Sequence, residues 1–131
     1  MTKLSIVVPV YNEEKNIKIF LDRLISTLIK ITDDYEIIFA LDPSNDKSEQ
    51  IILDEININK KIKLIVFSRR FGQPISTIAG IENSSGDYCV VIDCDLQDPP
   101  ELIEDMFNKI TKDKLDVVFA VRKSRKGETL I

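Results

Sequence analysis

Five short apolar runs recur along this chain, at residues 4–9, 36–41, 62–67, 88–93 and 116–122. Each is rich in β-branched or aromatic residues and has the length of a buried strand rather than of a helix. The segments between them carry helical periodicity instead. Ile17, Phe20, Leu21, Leu24, Ile25 and Leu28 fall on one face of a helix that extends to about residue 31. Asn12 reads as the N-cap of that helix, with Glu13 and Glu14 in its first turn. Asp46, followed three residues later by Glu49, makes a capping-box-like start for a second helix running to about residue 56. A short helix rich in small residues is expected over 74–82 and another over 101–112. Strands alternating with helices in this way predict one α/β domain, a doubly wound layer built on a mostly parallel sheet.

In such sheets ligands bind at the carboxyl ends of the strands, and the polar clusters of this chain gather there. Tyr11, Asn12 and Glu13 follow the first run, and Asp42-Pro43-Ser44-Asn45-Asp46 follows the second. Ser68-Arg69-Arg70-Phe71-Gly72 follows the third, and the fourth ends in Asp93-Cys94-Asp95-Leu96-Gln97-Asp98-Pro99-Pro100-Glu101. A buried strand has no structural use for two acids at i and i+2, because like charges so close oppose each other's ionisation unless a cation intervenes. With 13 Asp among 131 residues, about one such pair arises by chance, so its place at a strand terminus carries the argument. Carboxylate ligation suits a hard divalent ion, Mg²⁺ or Mn²⁺, better than zinc. Acids beside arginines suit a metal-chelated phosphate, with Arg69 and Arg70 meeting the remaining phosphate oxygens.

Composition removes several alternatives. A net charge of −4 argues against a general nucleic-acid binder. The chain has no histidine, which takes away imidazole acid–base chemistry and most zinc sites. No apolar run approaches the length of a membrane-spanning helix. Cys89 and Cys94 stand on opposite faces by strand alternation and do not pair easily. Two such cysteines without a signal peptide fit a reducing cytoplasm.

Taken together, these residues resemble the nucleotide-sugar-binding half of a GT-A type glycosyltransferase. More narrowly they resemble the inverting family-2 enzymes that include dolichol-phosphate mannose synthase and bacterial polyprenyl-phosphate glycosyltransferases. The family's opening P-x-Y-N-E stands as Pro9-Val10-Tyr11-Asn12-Glu13, and its D-x-D-L-Q-x-P-P-E is complete from Asp93 to Glu101. Its S-R-N-x-G loop is Ser68-Arg69-Arg70-Phe71-Gly72. Its D-D-G-S-x-D becomes Leu41-Asp42-Pro43-Ser44-Asn45-Asp46, with the first acid and the glycine changed. The closing V-x-x-R-x-x-R-x-G-E is matched loosely by Val118, Arg122, Arg125, Gly127 and Glu128.

The resemblance implies roles residue by residue. Pro9, Tyr11 and Glu13 line a nucleoside pocket, and Asp42 binds the base. Asp93, Asp95 and Gln97 hold a divalent metal and the donor phosphates, Arg69 joins the donor site, and Arg122 faces the donor diphosphate or an acceptor phosphate. Gln73 stands where close relatives often carry lysine and receives no role. The implied donor is a UDP- or GDP-linked sugar and the implied acceptor a polyprenyl phosphate, with the longer protein at the cytoplasmic face of a membrane. The resemblance also implies that the catalytic base, the acceptor half and the membrane-associating helices follow Ile131. The expectation is therefore that residues 1–131 bind donor without transferring sugar, and that an apolar face left open favours self-association into a homo-oligomer.

Other classes share parts of this pattern. Phosphatases of the haloacid-dehalogenase type also carry D-x-D at a strand end, with the first Asp as nucleophile, but leave the three preceding loops unexplained. A receiver domain needs an acid pair after the first strand, where Pro9 to Glu13 stand here. A non-catalytic nucleotide-binding module is the remaining alternative. Asp46 and Asp98 read as cap and turn residues, and Cys94 as a small apolar filler.

Overall fold

The computed structural model describes residues 2–121. Four strands, β1 (Leu4–Val10), β2 (Tyr35–Leu41), β3 (Ile62–Val66) and β4 (Tyr88–Val91), alternate with four helices, α1 (Ile17–Ile31), α2 (Ser48–Ile58), α3 (Gln73–Glu82) and α4 (Leu102–Lys112). All pairings are parallel, in the order β3-β2-β1-β4. The α/β, parallel, doubly wound expectation holds. β1 and β2 are buried at every position, as continuous apolar strands covered on both faces should be.

Strand alternation sorts the two faces. Leu4, Ile6, Val8, Ile37 and Phe39 point into one core with Phe20, Leu21, Leu24 and Leu28 of α1, Ile52 of α2 and Ile103 of α4. Val7 points the other way and meets α3 at Gly80, where a Cβ would collide with the Val7 side chain. The small residues expected in that helix are what let it lie close to the sheet. At the amino end of the sheet a buried carboxylate, Glu36, accepts from the Ser5 hydroxyl at 2.6 Å and from the Ser85 amide at 2.6 Å, and pairs with Lys63.

Three local expectations change. Pro9 does not end β1; the strand continues to Val10, which pairs with Leu41. Val7 accepts from the Ile92 amide on the β4 side and Val10 accepts from the Asp42 amide on the β2 side. The nitrogen of Pro9 therefore faces β4 beyond the last β4 bond, where a missing donor costs no ladder contact. Asn12 does not cap α1. It adopts φ 51°, and α1 begins only at Ile17; the Asn12 side-chain oxygen instead accepts from the Asn45 amide. The fifth strand is not realised among the described residues: 116–121 form no strand, and Val117, Phe119 and Val121 are exposed. This segment faces β4 and α4 across a cavity of about 430 Å³, whose lining includes Val117 and Phe119. An apolar, β-branched run signals strand tendency, but a strand also needs a hydrogen-bonded neighbour.

Candidate functional site

The sheet order has one reversal. The chain moves outward from β1 to β2 and β3, then returns to place β4 on the other side of β1. Loops leaving β1 and β4 therefore diverge above the sheet, the crevice where open α/β sheets receive ligands. β4 deepens the crevice, because its pairing ends at Val7 with Val91 while β1 runs on against β2 to Val10.

A cavity of about 230 Å³ occupies this crevice. Every strand's carboxyl end contributes to it: Pro9 near the end of β1 with Tyr11 and Glu13 after it, Asp42 after β2, Arg70, Gly72 and Gln73 after β3, and Asp93 and Asp95 after β4. Residues from four separate stretches of sequence thus line one space.

Hydrogen bonds between loops set its walls. The Asn12 amide donates to the Ser44 hydroxyl at 3.0 Å, the Glu13 amide to the Ser48 hydroxyl at 2.9 Å and the Glu14 amide to Asp46 at 3.1 Å. Asp46 also accepts from the Ser48 amide at 2.9 Å, but it stands one residue before the N-cap of α2, which is Lys47 and carries no side-chain cap bond, so the expected capping box does not form. Burial works to raise the pKa of Asp46, but the Ser48 and Glu14 donors outweigh it and hold the carboxyl below its ordinary value.

Asp42 is buried, and its two carboxylate oxygens accept from the Phe71 amide at 3.2 Å and the Gly72 amide at 3.0 Å. The residue expected at a nucleobase therefore also ties the arginine loop to the end of β2. Gly72 has φ 92°, a conformation that favours glycine, and this bend turns the loop into α3. Arg70 stands over the Tyr11 ring at 3.9 Å and lines the cavity. Arg69 stands over Phe71 at 4.3 Å and is not part of the cavity wall. The two arginines are equivalent in sequence, and only the path of the loop separates them.

On the opposite wall, Asp93 accepts from the Gln73 side-chain nitrogen at 2.6 Å. Asp95 accepts from the Gln97 amide at 3.1 Å, in a turn where Leu96 takes φ 67°. Gln97 does not line the cavity; its place is in this turn. Arg122 lies outside the described residues. Cys94, between the acids, is buried; burial first, then the charges of Glu13, Asp95 and Asp93, pushes its thiol up to about 12. It stays protonated at neutral pH and is no nucleophile. Gln73 and Ser76 line the cavity although the sequence alone gave them no role, and a glutamine does not announce a contact made across twenty positions.

Asp93 and Asp95 offer oxygen donors suited to a hard divalent cation. Among the described residues, no three acidic or cysteine side chains converge as a complete ligand set. Two carboxylates are fewer donors than a divalent ion takes, so a cation here would need further oxygen ligands from a bound phosphate or water.

The chain is 47% identical over 125 residues to the glycosyltransferase YkcC of Bacillus subtilis, covering 95% of this chain and 38% of that protein. It is 43% identical over 129 residues to the glycosyltransferase sll0501 of Synechocystis, covering 98% and 40%. It is also 35% identical over 124 residues to the undecaprenyl-phosphate 4-deoxy-4-formamido-L-arabinose transferase of Photorhabdus laumondii, covering 94% and 38%. The chain thus spans about 40% of the length of the curated relatives it matches. Among solved structures, the mannosyltransferase PcManGT of Pyrobaculum calidifontis in complex with GDP-Man and Mn²⁺ shares the fold at TM-score 0.73 and 18% identity, over 83% of this chain and 32% of that one. S. aureus TarS 1-349 in complex with UDP-GlcNAc is similar at TM-score 0.65 and 26% identity, over 84% and 31%. Residues 5–131 match glycosyl transferase family 2, and with that match spanning nearly its whole length, the chain belongs to this family.

Proposed function

We propose that residues 1–131 are the nucleotide-sugar-binding part of the catalytic domain of a glycosyltransferase that transfers a sugar, with inversion, to a polyprenyl phosphate. The observation that carries this reading is the crevice between β1 and β4, where acids and an arginine from four separate loops line one cavity. The neighbours solved with GDP-Man and UDP-GlcNAc support a nucleotide-linked donor, and the undecaprenyl-phosphate transferase relative supports a lipid-phosphate acceptor.

Each part of the cavity has a task in this reading. Pro9, Tyr11 and Glu13 receive the nucleoside, and Asp42 holds the loop that forms the pocket's far wall while facing the base. Arg70 supplies positive charge toward the diphosphate, and Arg122 is assigned to the donor diphosphate or the acceptor phosphate. Asp93 and Asp95, with Gln97 in their turn, hold the divalent cation, which neutralises the donor diphosphate when bound. Inverting transfer to a phosphate needs the acceptor oxygen aligned opposite the leaving group, and an already anionic oxygen needs positive surroundings more than a strong base. No helix among the described residues is long and apolar enough to cross a membrane; in this reading a polyprenyl acceptor puts the transfer reaction at the cytoplasmic membrane face.

Titration calorimetry of the 131-residue chain with UDP and GDP, in Mn²⁺ or in EDTA, tests the reading. Binding of one nucleotide in Mn²⁺ is expected, with a loss of about tenfold or more in EDTA and in Asp95→Ala. Equal affinity with and without Mn²⁺ would remove the metal role of Asp93 and Asp95, and hydrolysis of a generic phosphoester would favour a phosphatase.

A further inference from the structure

Gln73 is the first residue of α3, directly after the bend at Gly72. Its side-chain nitrogen donates to Oδ1 of Asp93 at 2.6 Å, and both residues line the cavity between β1 and β4. The contact joins the loop after β3 to the loop after β4, on opposite flanks of β1. Its geometry is built from behind. Asp42 clamps the amides of Phe71 and Gly72, the two residues before Gln73. The Ser76 amide and hydroxyl both bond the Gly72 carbonyl, at 3.1 Å each, locking the first turn of α3. Ser76 is itself buried against the sheet.

We propose that Gln73 is a positioning residue for metal-assisted donor binding: its amide holds Oδ1 of Asp93 and fixes the side-chain rotamer in which that carboxylate lines the cavity. The inference rests on the metal role proposed above for Asp93 and Asp95. An amide is suited to the task for an electrostatic reason. A donor holds the carboxylate still, and an uncharged donor does so without offsetting part of the charge that attracts a divalent ion, unlike the lysine that close relatives often carry at this position. Glutamine donates a hydrogen bond and leaves the full charge of the acid pair in place. Partners that orient a ligating carboxylate govern metal affinity without touching the metal.

Replacing Gln73 separates orientation from charge. Gln73→Met keeps the length of the side chain and removes the donor. Gln73→Lys puts a cation against Asp93, and Gln73→Glu puts a third carboxylate there. Ile78→Lys places a cation on the exposed outer side of the same helix and controls for charge at a distance. Mn²⁺ binding is read by electron paramagnetic resonance, with Mn²⁺ alone and with UDP or GDP, and folding is read by thermal melting in EDTA. The expected order of affinity is Gln73→Glu above wild type, with Gln73→Met and Gln73→Lys below, and Gln73→Lys about tenfold weaker than wild type. Ile78→Lys should match wild type within about twofold, since an exposed charge that far away is screened.

If Gln73→Met binds Mn²⁺ within about twofold of wild type while Asp95→Ala abolishes binding, the metal reading stands and the positioning role of Gln73 is refuted, whatever the two charged variants do. If Gln73→Lys and Ile78→Lys weaken binding equally, the effect is general charge and the positioning role is likewise refuted. If wild type binds no Mn²⁺ under any of these conditions, both the metal reading and this inference fall together.

Discussion

The guanidinium of Arg70 lies 3.9 Å from the centre of the Tyr11 ring, so the loop after β3 and the loop after β1 meet at the wall of one cavity. A cation against an aromatic face contributes about 0.5–2 kcal/mol, enough to bias a surface loop toward one position. Arg70 is also the arginine of its pair that lines the cavity. Its charge, its stacking and its position coincide.

Arg70→Ala should therefore weaken UDP or GDP binding about tenfold, with little change in melting temperature because the side chain is exposed. Arg70→Lys should fall between the two, since it keeps the charge and loses the planar stack. Arg69→Ala should have a much smaller effect. Calorimetric titration in Mn²⁺ compares the three, and a larger loss for Arg69 than for Arg70 would reassign the donor contact.

Asp42 predicts a coupled loss. Its carboxylate is the acceptor for the Phe71 and Gly72 amides. Asp42→Ala leaves both without that partner and should cost about 2 kcal/mol of stability, measurable by urea denaturation. Nucleotide affinity should fall as well, because Arg70 and Gln73 flank the released amides. Asp42→Asn keeps one acceptor oxygen and should recover part of both. Lost nucleotide binding with unchanged stability would show that Asp42 acts on the ligand alone.

Glu36 predicts an acid limit to stability that is independent of the site. Burial works to raise its pKa, but hydrogen bonds from Lys63, Ser5 and Ser85 outweigh it and lower the value from 4.5 to about 2. The unfolded chain therefore takes up this proton more readily than the folded one. The stabilisation is fully present above pH 4.5 and is lost as pH falls from there toward about 2. Its size is on the order of 3 kcal/mol. Urea denaturation between about pH 6 and pH 3 should show a decline that is shallower in Glu36→Gln, which starts less stable. Parallel pH profiles for the two proteins would mean that other carboxylates set the acid limit.

The strand–helix alternation was legible because it is written in neighbouring residues. Ile17, Phe20, Leu21, Leu24 and Leu28 share one helical face at any position in any fold, and all are buried on α1. The acids after β4 and the tyrosine loop after β1 were legible for a related reason. Once strands and helices alternate in parallel, every strand's carboxyl end lies on the same edge. Local pattern misled where one residue had to choose among partners. Asn12 has the chemistry of a helix cap but takes φ 51° and bonds Asn45 instead. Residues 116–121 have the composition of a strand but join no ladder among the described residues.

By itself, then, the amino-acid sequence determined the element types, the parallel sheet and the edge on which polar chemistry collects, because these follow from local periodicity and connection handedness. The tertiary structure alone decided which of those polar groups meet. The order β3-β2-β1-β4 brings the ends of β1 and β4 together, and the positive φ at Gly72 and Leu96 aims the two loops that face each other there. Through that geometry Arg70 rather than Arg69 lines the cavity, and Gln73 reaches Asp93. Contacts between distant residues depend on strand register and loop conformation, and neither leaves a periodic trace in the chain.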